Sequence, residues 1–167
     1  MANKDFIYGI ASVKFKDELI GYIEKGSWDW GGTKPESTDV EAEQVPDVPV
    51  LVLQQKNGQI APTFNLIQLN YKGLQQTLGG TLTGDAANPT GWNAPTDLVQ
   101  LTGAWEIDFV SGQRCTIPNG LLMANLGGKL TLTEVSHVEC QLRVMKPESG
   151  APYSIGDIPA STGGSGE

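Results

Sequence analysis

Apolar positions in this chain come in short alternating or continuous runs of strand length. Glycine, proline and small polar residues separate them, so the pattern predicts a mainly β protein. Phe6 to Phe15 is rich in strand formers, Lys16-Asp17-Glu18 is a polar turn, and Leu19 to Gly26 returns as the other half of a hairpin. Glycines inside both runs point to bulges or close backbone approach. Val50 to Lys56 runs into Asn57-Gly58, a dipeptide favoured in two-residue hairpin turns because both central positions need positive φ. Gln59 to Leu69 reads as the returning strand, with Phe64, Leu66 and Leu69 apolar. Asn70 then caps a short helix, Tyr71 to Leu78, which Gly79-Gly80 stops. Leu74 and Leu78 lie on one face of it and are expected to pack under the sheet.

The remaining pattern is also β. Thr81 to Pro95 is rich in Gly, Asn, Pro and Thr and reads as a loop. Leu98 to Val110 is strand-like, Ser111-Gly112 turns it into Gln113 to Ile117, and Pro118-Asn119-Gly120 reads as a further turn. Leu130 to Thr133 and Val135 to Met145 read as the last long strand or strand pair. Val138, Cys140, Leu142 and Val144 share one face of it, and His137 lies on the other. From Pro147 onward a mobile tail without core content is expected. The expected architecture is a small antiparallel β-sandwich or barrel with one flanking helix, about 71–79. It has one domain over residues 1–147 and a flexible tail over 148–167. There is no internal repeat.

Between the two expected hairpins, Gly31 to Pro49 reads GGTKPESTDVEAEQVPDVP, with hardly any large apolar residue. Glu36, Asp39, Glu41, Glu43 and Asp47 stand there against Lys34 alone, so this is expected to be a long acidic loop, about 31–49, and not core.

Composition narrows the class. The 167 residues suit one domain, and 21 glycines with 10 prolines leave little room for a helical bundle. A formal net charge of −8 disfavours tight binding to nucleic acid or to an anionic membrane. No run approaches the roughly 18 apolar residues of a membrane span. Met1-Ala2-Asn3-Lys4-Asp5 lacks the profile of a secretory signal, which suggests synthesis in a cytosol. In that compartment Cys115 and Cys140 are expected as reduced, buried thiols, although the sequence leaves pairing open.

Candidate chemistry is sparse. His137 is the single histidine, with no recognisable nucleophile pattern beside it. The acidic residues lack the spacing of a calcium loop, and neither phosphate-loop glycine pattern occurs. Trp28, Trp30, Trp92 and Trp105 could stack on sugar rings, but core or interface packing is the stronger reading. No catalytic residues, no metal ligands and no cofactor are expected, so the chain does not read as an enzyme.

One stretch resembles a known family. Ile60 to Gly80, IAPTFNLIQLNYKGLQQTLGG, is similar to the strand, short helix and Gly-Gly stop of phage major tail tube proteins. In those proteins the helix commonly ends in Leu-x-x-x-Leu-Gly-Gly, here Leu74 to Gly80. Gly21-Tyr22-Ile23-Glu24-Lys25-Gly26-Ser27 and the long loop after it are also similar, as are Ile107-Asp108-Phe109 through Asn119-Gly120 and Leu130 to Val144. The resemblance covers most of residues 6–146 in the order of elements.

It implies a small β-sandwich whose copies form hexameric rings, stacked into a tube that conducts DNA during ejection. The partners would be further copies of the chain and other tail proteins, such as tape measure, terminator and baseplate components. DNA would pass without specific binding, and no membrane is implied. The product would reside in a virion tail after synthesis in the bacterial host cytoplasm. By the same resemblance Thr33 to Val48 is the arm that contacts the next ring, through Glu36, Asp39, Glu41, Glu43 and Asp47. The hairpin Val50 to Leu69 would line the lumen, with Gln54, Gln55, Lys56, Asn57, Gln59 and Gln68. A ring can pair the exposed edges of a sheet, and an acidic wall suits a conduit for DNA. The alternatives are another tail part, such as a terminator or baseplate component, or a glycan-binding β-sandwich using Trp28, Trp30 or Trp92.

Overall fold

A single 15-residue strand, β9 (Gln113–Gly127), organises the molecule, which is a computed structural model describing residues 4–160. One edge of β9 pairs with β8 (Leu101–Phe109). Its other edge pairs with β10 (His137–Val144) over Gly120 to Gly127 and with β11 (Ser154–Asp157) over Gln113 to Thr116. Beyond β8 come β1 (Ile10–Phe15) and β2 (Glu18–Leu19), and beyond β10 comes β5 (Thr63–Leu66). The result is a seven-stranded antiparallel sheet that does not close into a barrel. Two small antiparallel sheets stand apart: β3 (Glu36–Val40) with β4 (Leu51–Lys56), and β6 (Thr81–Gly84) with β7 (Pro89–Asn93). The fold is mainly β with one short helix, as the pattern of apolar positions predicts.

The core follows from side-chain alternation. Val13 and Phe15 on β1, Trp105, Ile107 and Phe109 on β8, and Cys115 and Ile117 on β9 point to one face, where Phe64, Leu66, Val138, Cys140 and Leu142 join them. Phe15 stacks on Trp105 with centroids 4.5 Å apart, and Phe64 meets Trp105 edge-on at 6.4 Å. Both cysteines are buried free thiols. The helix α1 (Tyr71–Leu78) has the expected bounds, and its Leu74 and Leu78 pack against the core. Asn70 caps it, with its side-chain oxygen accepting from the Gly73 N–H at 2.6 Å.

Several local expectations are corrected. The two-residue hairpin turn with positive φ lies at Lys16-Asp17 (φ 53° and 66°) and not at Asn57-Gly58, neither of which has positive φ. Val50 to Leu69 is therefore not a hairpin. The alternation of Phe64 and Leu66 carries β5 into the core sheet beside β10, which leaves β4 to pair with the acidic segment. The long acidic loop accordingly contains a strand, β3. Thr81 to Pro95 is a hairpin, not a loop, with Asp85 closing its turn by accepting from the Ala87 N–H.

Pro118-Asn119-Gly120 is no turn. It lies inside β9 as a bulge: Trp105 opposes Ile117 and Gly103 opposes Gly120, so β9 carries an extra residue where the missing proline N–H costs no ladder bond. Leu130 to Thr133 forms no strand. Its backbone turns back on itself, with the Thr131 hydroxyl accepting from the Glu134 N–H at 2.9 Å. The segment after Pro147, expected to be without core content, supplies β11, and Tyr153 packs against the core. Residues 161–167 of the expected tail lie outside the described residues.

Candidate assembly surface

The hairpin β3–β4 is built unlike the rest of the molecule: every residue of both strands is exposed. Its base is fixed by two backbone hydrogen bonds of 3.0 Å between Thr33 and Gln59, and by Ala61 N–H donating to Trp30 C=O. From there Glu36 opposes Lys56 across the strands, with their charged ends 3.5 Å apart. Ser37 opposes Gln54, Asp39 opposes Val52 and Val40 opposes Leu51. At the far end Val50 N–H donates to Val40 C=O, and the Ala42–Val45 bridge tightens the connection that carries Glu41, Glu43 and Asp47.

The expected site residues thus meet in an arrangement the sequence did not suggest. The acidic set and the amide-rich set were read as two devices, an arm and a lumen hairpin. In the structure Glu36 and Asp39 on β3 and Gln54, Gln55 and Lys56 on β4 belong to one hairpin, in which Glu36 faces Lys56 and Asp39 faces Val52, with Asn57 and Gln59 at its root. Gln55 donates to the Thr38 hydroxyl, and Gln54 donates to Asn57 at 3.1 Å. Gln68 is not part of this group. It follows β5 and sits beside Gly21, close enough that a Cβ on that glycine would meet its Oε1 at 3.2 Å.

Physically the hairpin combines two properties. Val48, Val50, Leu51, Val52 and Leu53 are each about half exposed, so both of its faces are apolar along β4. Asp39, Glu41, Glu43 and Asp47 give the outer part four negative charges, and no cation lies between Pro35 and Gln55. A two-stranded hairpin is marginal by itself in water and wants a third strand or a packed face. Exposed apolar area on this scale marks an interaction site.

The other candidate groups are occupied internally. Trp28 stacks on Phe64 at 5.1 Å, Trp30 packs against Phe109 at 5.9 Å, and Trp92 donates its indole N–H to Gly79 C=O at 2.7 Å. His137 Nε2 lies 3.4 Å from Glu139 Oε1 at the start of β10. Burial pushes the Cys115 thiol up to about 11 and the Cys140 thiol up to about 12, which leaves them protonated and unreactive near neutral pH. Asp108 holds Arg114 by a two-point contact, and that hydrogen bond raises the guanidinium further above its ordinary value. Among the described residues no three His, Cys, Asp or Glu side chains converge to hold a metal ion. No described helix is long and apolar enough to cross a membrane. No known protein-family model matches this sequence, and no curated protein matches it.

Proposed function

We propose that this chain is a self-assembling structural protein, a tail tube subunit of a phage, that forms stacked rings around a DNA conduit. The observation that carries the reading is the β3–β4 hairpin: two strands held at their base, apolar on both faces, and exposed throughout. Such an element gains its stability from a neighbour, and a contact between different surfaces of identical copies generates rings or filaments. The resemblance of residues 60–80 to tail tube proteins gives the assembly its identity, with tape measure, terminator and baseplate proteins as partners at its ends. The acidic outer part of the hairpin suits a wall past which DNA slides without being held. A glycan-binding role is weaker support for these residues, because three of the tryptophans it would use are packed or hydrogen-bonded within the chain.

The test is negative-stain electron microscopy of the purified protein over a concentration series, beside a Leu51→Asp/Leu53→Asp variant. Rings or tubes with a central hole for the wild type, and monomers for the variant, are expected. A wild type that stays monomeric at every concentration overturns the proposal.

A further inference from the structure

The main sheet has a seam. Segment 20–24 leaves β2 and crosses to the far end of the sheet, where Ile23 bridges Leu66 on the outer edge of β5. The outer edge of β1 and this segment therefore face one another across a cleft of about 550 Å³, within the range of natural ligand sites. Both walls carry unused backbone. On β1, β2 pairs with Lys14 and Phe15 and Val13 C=O accepts from Ile20 N–H, which leaves the edge before Val13, where Ala11 is the extra residue of a bulge opposite β8. On the facing wall, Tyr22 C=O accepts from Ile67 N–H just past β5 and Glu24 N–H donates to Asn65 C=O on β5, so strand alternation turns the N–H and C=O of Ile23 the other way. Trp28 lines the cleft, and its buried indole N–H has no acceptor among the described residues. A buried donor left unpaired is rare in native proteins.

Elsewhere the same chain holds a segment with the periodicity of a strand but no strand partner. Residues 129–135, KLTLTEV, alternate as a strand does, yet pair with no strand. Leu132 is fully exposed, more than any other large apolar residue described, and Leu130 is 83% exposed. We propose that the seam is a strand-acceptor site, and that its occupant is segment 129–135 of a second copy of this chain. This rests on the self-assembly reading and names the surfaces that meet.

The fit has three parts. A single strand with two free edges can use both walls, whereas β4 already spends one edge on β3. Alternate side chains of the inserted strand, Leu130 and Leu132, face the tryptophan-lined interior, in the manner of β-augmentation. The rim offers Glu24 and Lys25 side by side, so whichever charged end of the segment lies there, Lys129 or Glu134, meets an opposite charge. Insertion undoes the Thr131–Glu134 turn and joins two different surfaces of identical copies, a contact that propagates.

Two measurements test it. A synthetic peptide of residues 128–136 is titrated into the full-length protein, read by tryptophan fluorescence and calorimetry. Saturable binding is expected, at least tenfold weaker for the Leu130→Asp/Leu132→Asp peptide. Trp28→Phe protein is expected to bind about three- to tenfold more weakly, the worth of one hydrogen bond. Separately, Ala11→Cys protein and mass-tagged Leu132→Cys protein are mixed and oxidised, and a mixed disulfide dimer is expected. No peptide binding, equal binding of the Asp-substituted peptide, or no mixed dimer overturns the strand-acceptor site. Ring formation by wild type alongside that failure leaves the proposed function standing. Peptide binding by a wild type that never forms rings supports the site while overturning the function.

Discussion

Trp105 donates its indole N–H to the carbonyl of Gly120 across the β8–β9 pair at 3.3 Å, and that glycine leaves the ring its space. A Cβ on Gly120 would lie 2.8 Å from Trp105 Cδ1 and 2.7 Å from Leu142 Cδ1. Both neighbours are fully buried, so neither can swing aside. Gly120→Ala is expected to destabilise the protein by about 1–3 kcal/mol through overpacking. For a chain of this size Tm should fall by about 2–4 °C per kcal/mol in a thermal melt followed by circular dichroism.

The helix cap offers a milder and more local test. Asn70→Ala removes the acceptor for the Gly73 N–H and is expected to cost about 1 kcal/mol, whereas Asn70→Asp keeps the acceptor and should remain near wild type. Urea unfolding midpoints at constant m distinguish the two.

The buried thiols set a stability limit on the alkaline side. Their ordinary value is 9.0, and in the folded protein they are pushed up to about 11 and about 12. Above pH 9 the unfolded chain gives up these protons while the folded chain keeps them, so the folded state binds more protons and stability falls as pH rises. The contribution is complete below pH 9 and is lost through pH 11–12. A Cys115→Ala/Cys140→Ala variant should start less stable and show a shallower decline over that window. A thiol reagent at pH 8 should label the native protein only after denaturant is added.

Gly32 allows the β3–β4 hairpin to be tested apart from the core. It has φ +85°, and a Cβ there would come within 1.9 Å of the Gln59 carbonyl at the base of the β3–β4 hairpin. Gly32→Ala is expected to disrupt the Thr33–Gln59 pairing while the seven-stranded sheet keeps its core. Tm should change little, and ring formation in the electron microscope should be lost. A variant that assembles like wild type would show that the hairpin's anchorage plays no part.

What the sequence disclosed depended on how local the determinant was. Asn70, Gly73 and Gly79 lie within ten residues of one another, so the helix bounds could be read directly. The alternation through Val138, Cys140 and Leu142 likewise names the buried face of β10, because period two needs no knowledge of the partner. Partner choice was hidden. Asn57-Gly58 carries a strong turn signal, but the burial of Phe64 and Leu66 beside β10 outweighs it. Pro118 reads as a break unless the long β9 strand, with its bulge opposite Gly103 and Trp105, is already in view. Leu130 to Thr133 has strand periodicity and no strand to pair with, which no local pattern can reveal. The acidic residues from Glu36 to Asp47 and the amides Gln54 and Gln55 read as two separate devices, because their grouping into one hairpin depends on the β3–β4 register.

The central position of β9 governs when the chain can begin to fold during synthesis. Everything before residue 101 includes β1, β2 and β5, yet β1 waits for β8 and β5 waits for β10. As the chain leaves the ribosome, β5 can pair with segment 22–24 and Thr63 with Asp29, but the central strands that carry the sheet are still missing. The β8–β9 hairpin, joined by the short Ser111-Gly112 turn, is the earliest pairing that can receive β1. The nascent amino-terminal half is therefore the stretch most exposed to chaperones and to premature association, and completion of the sheet awaits the last third of translation.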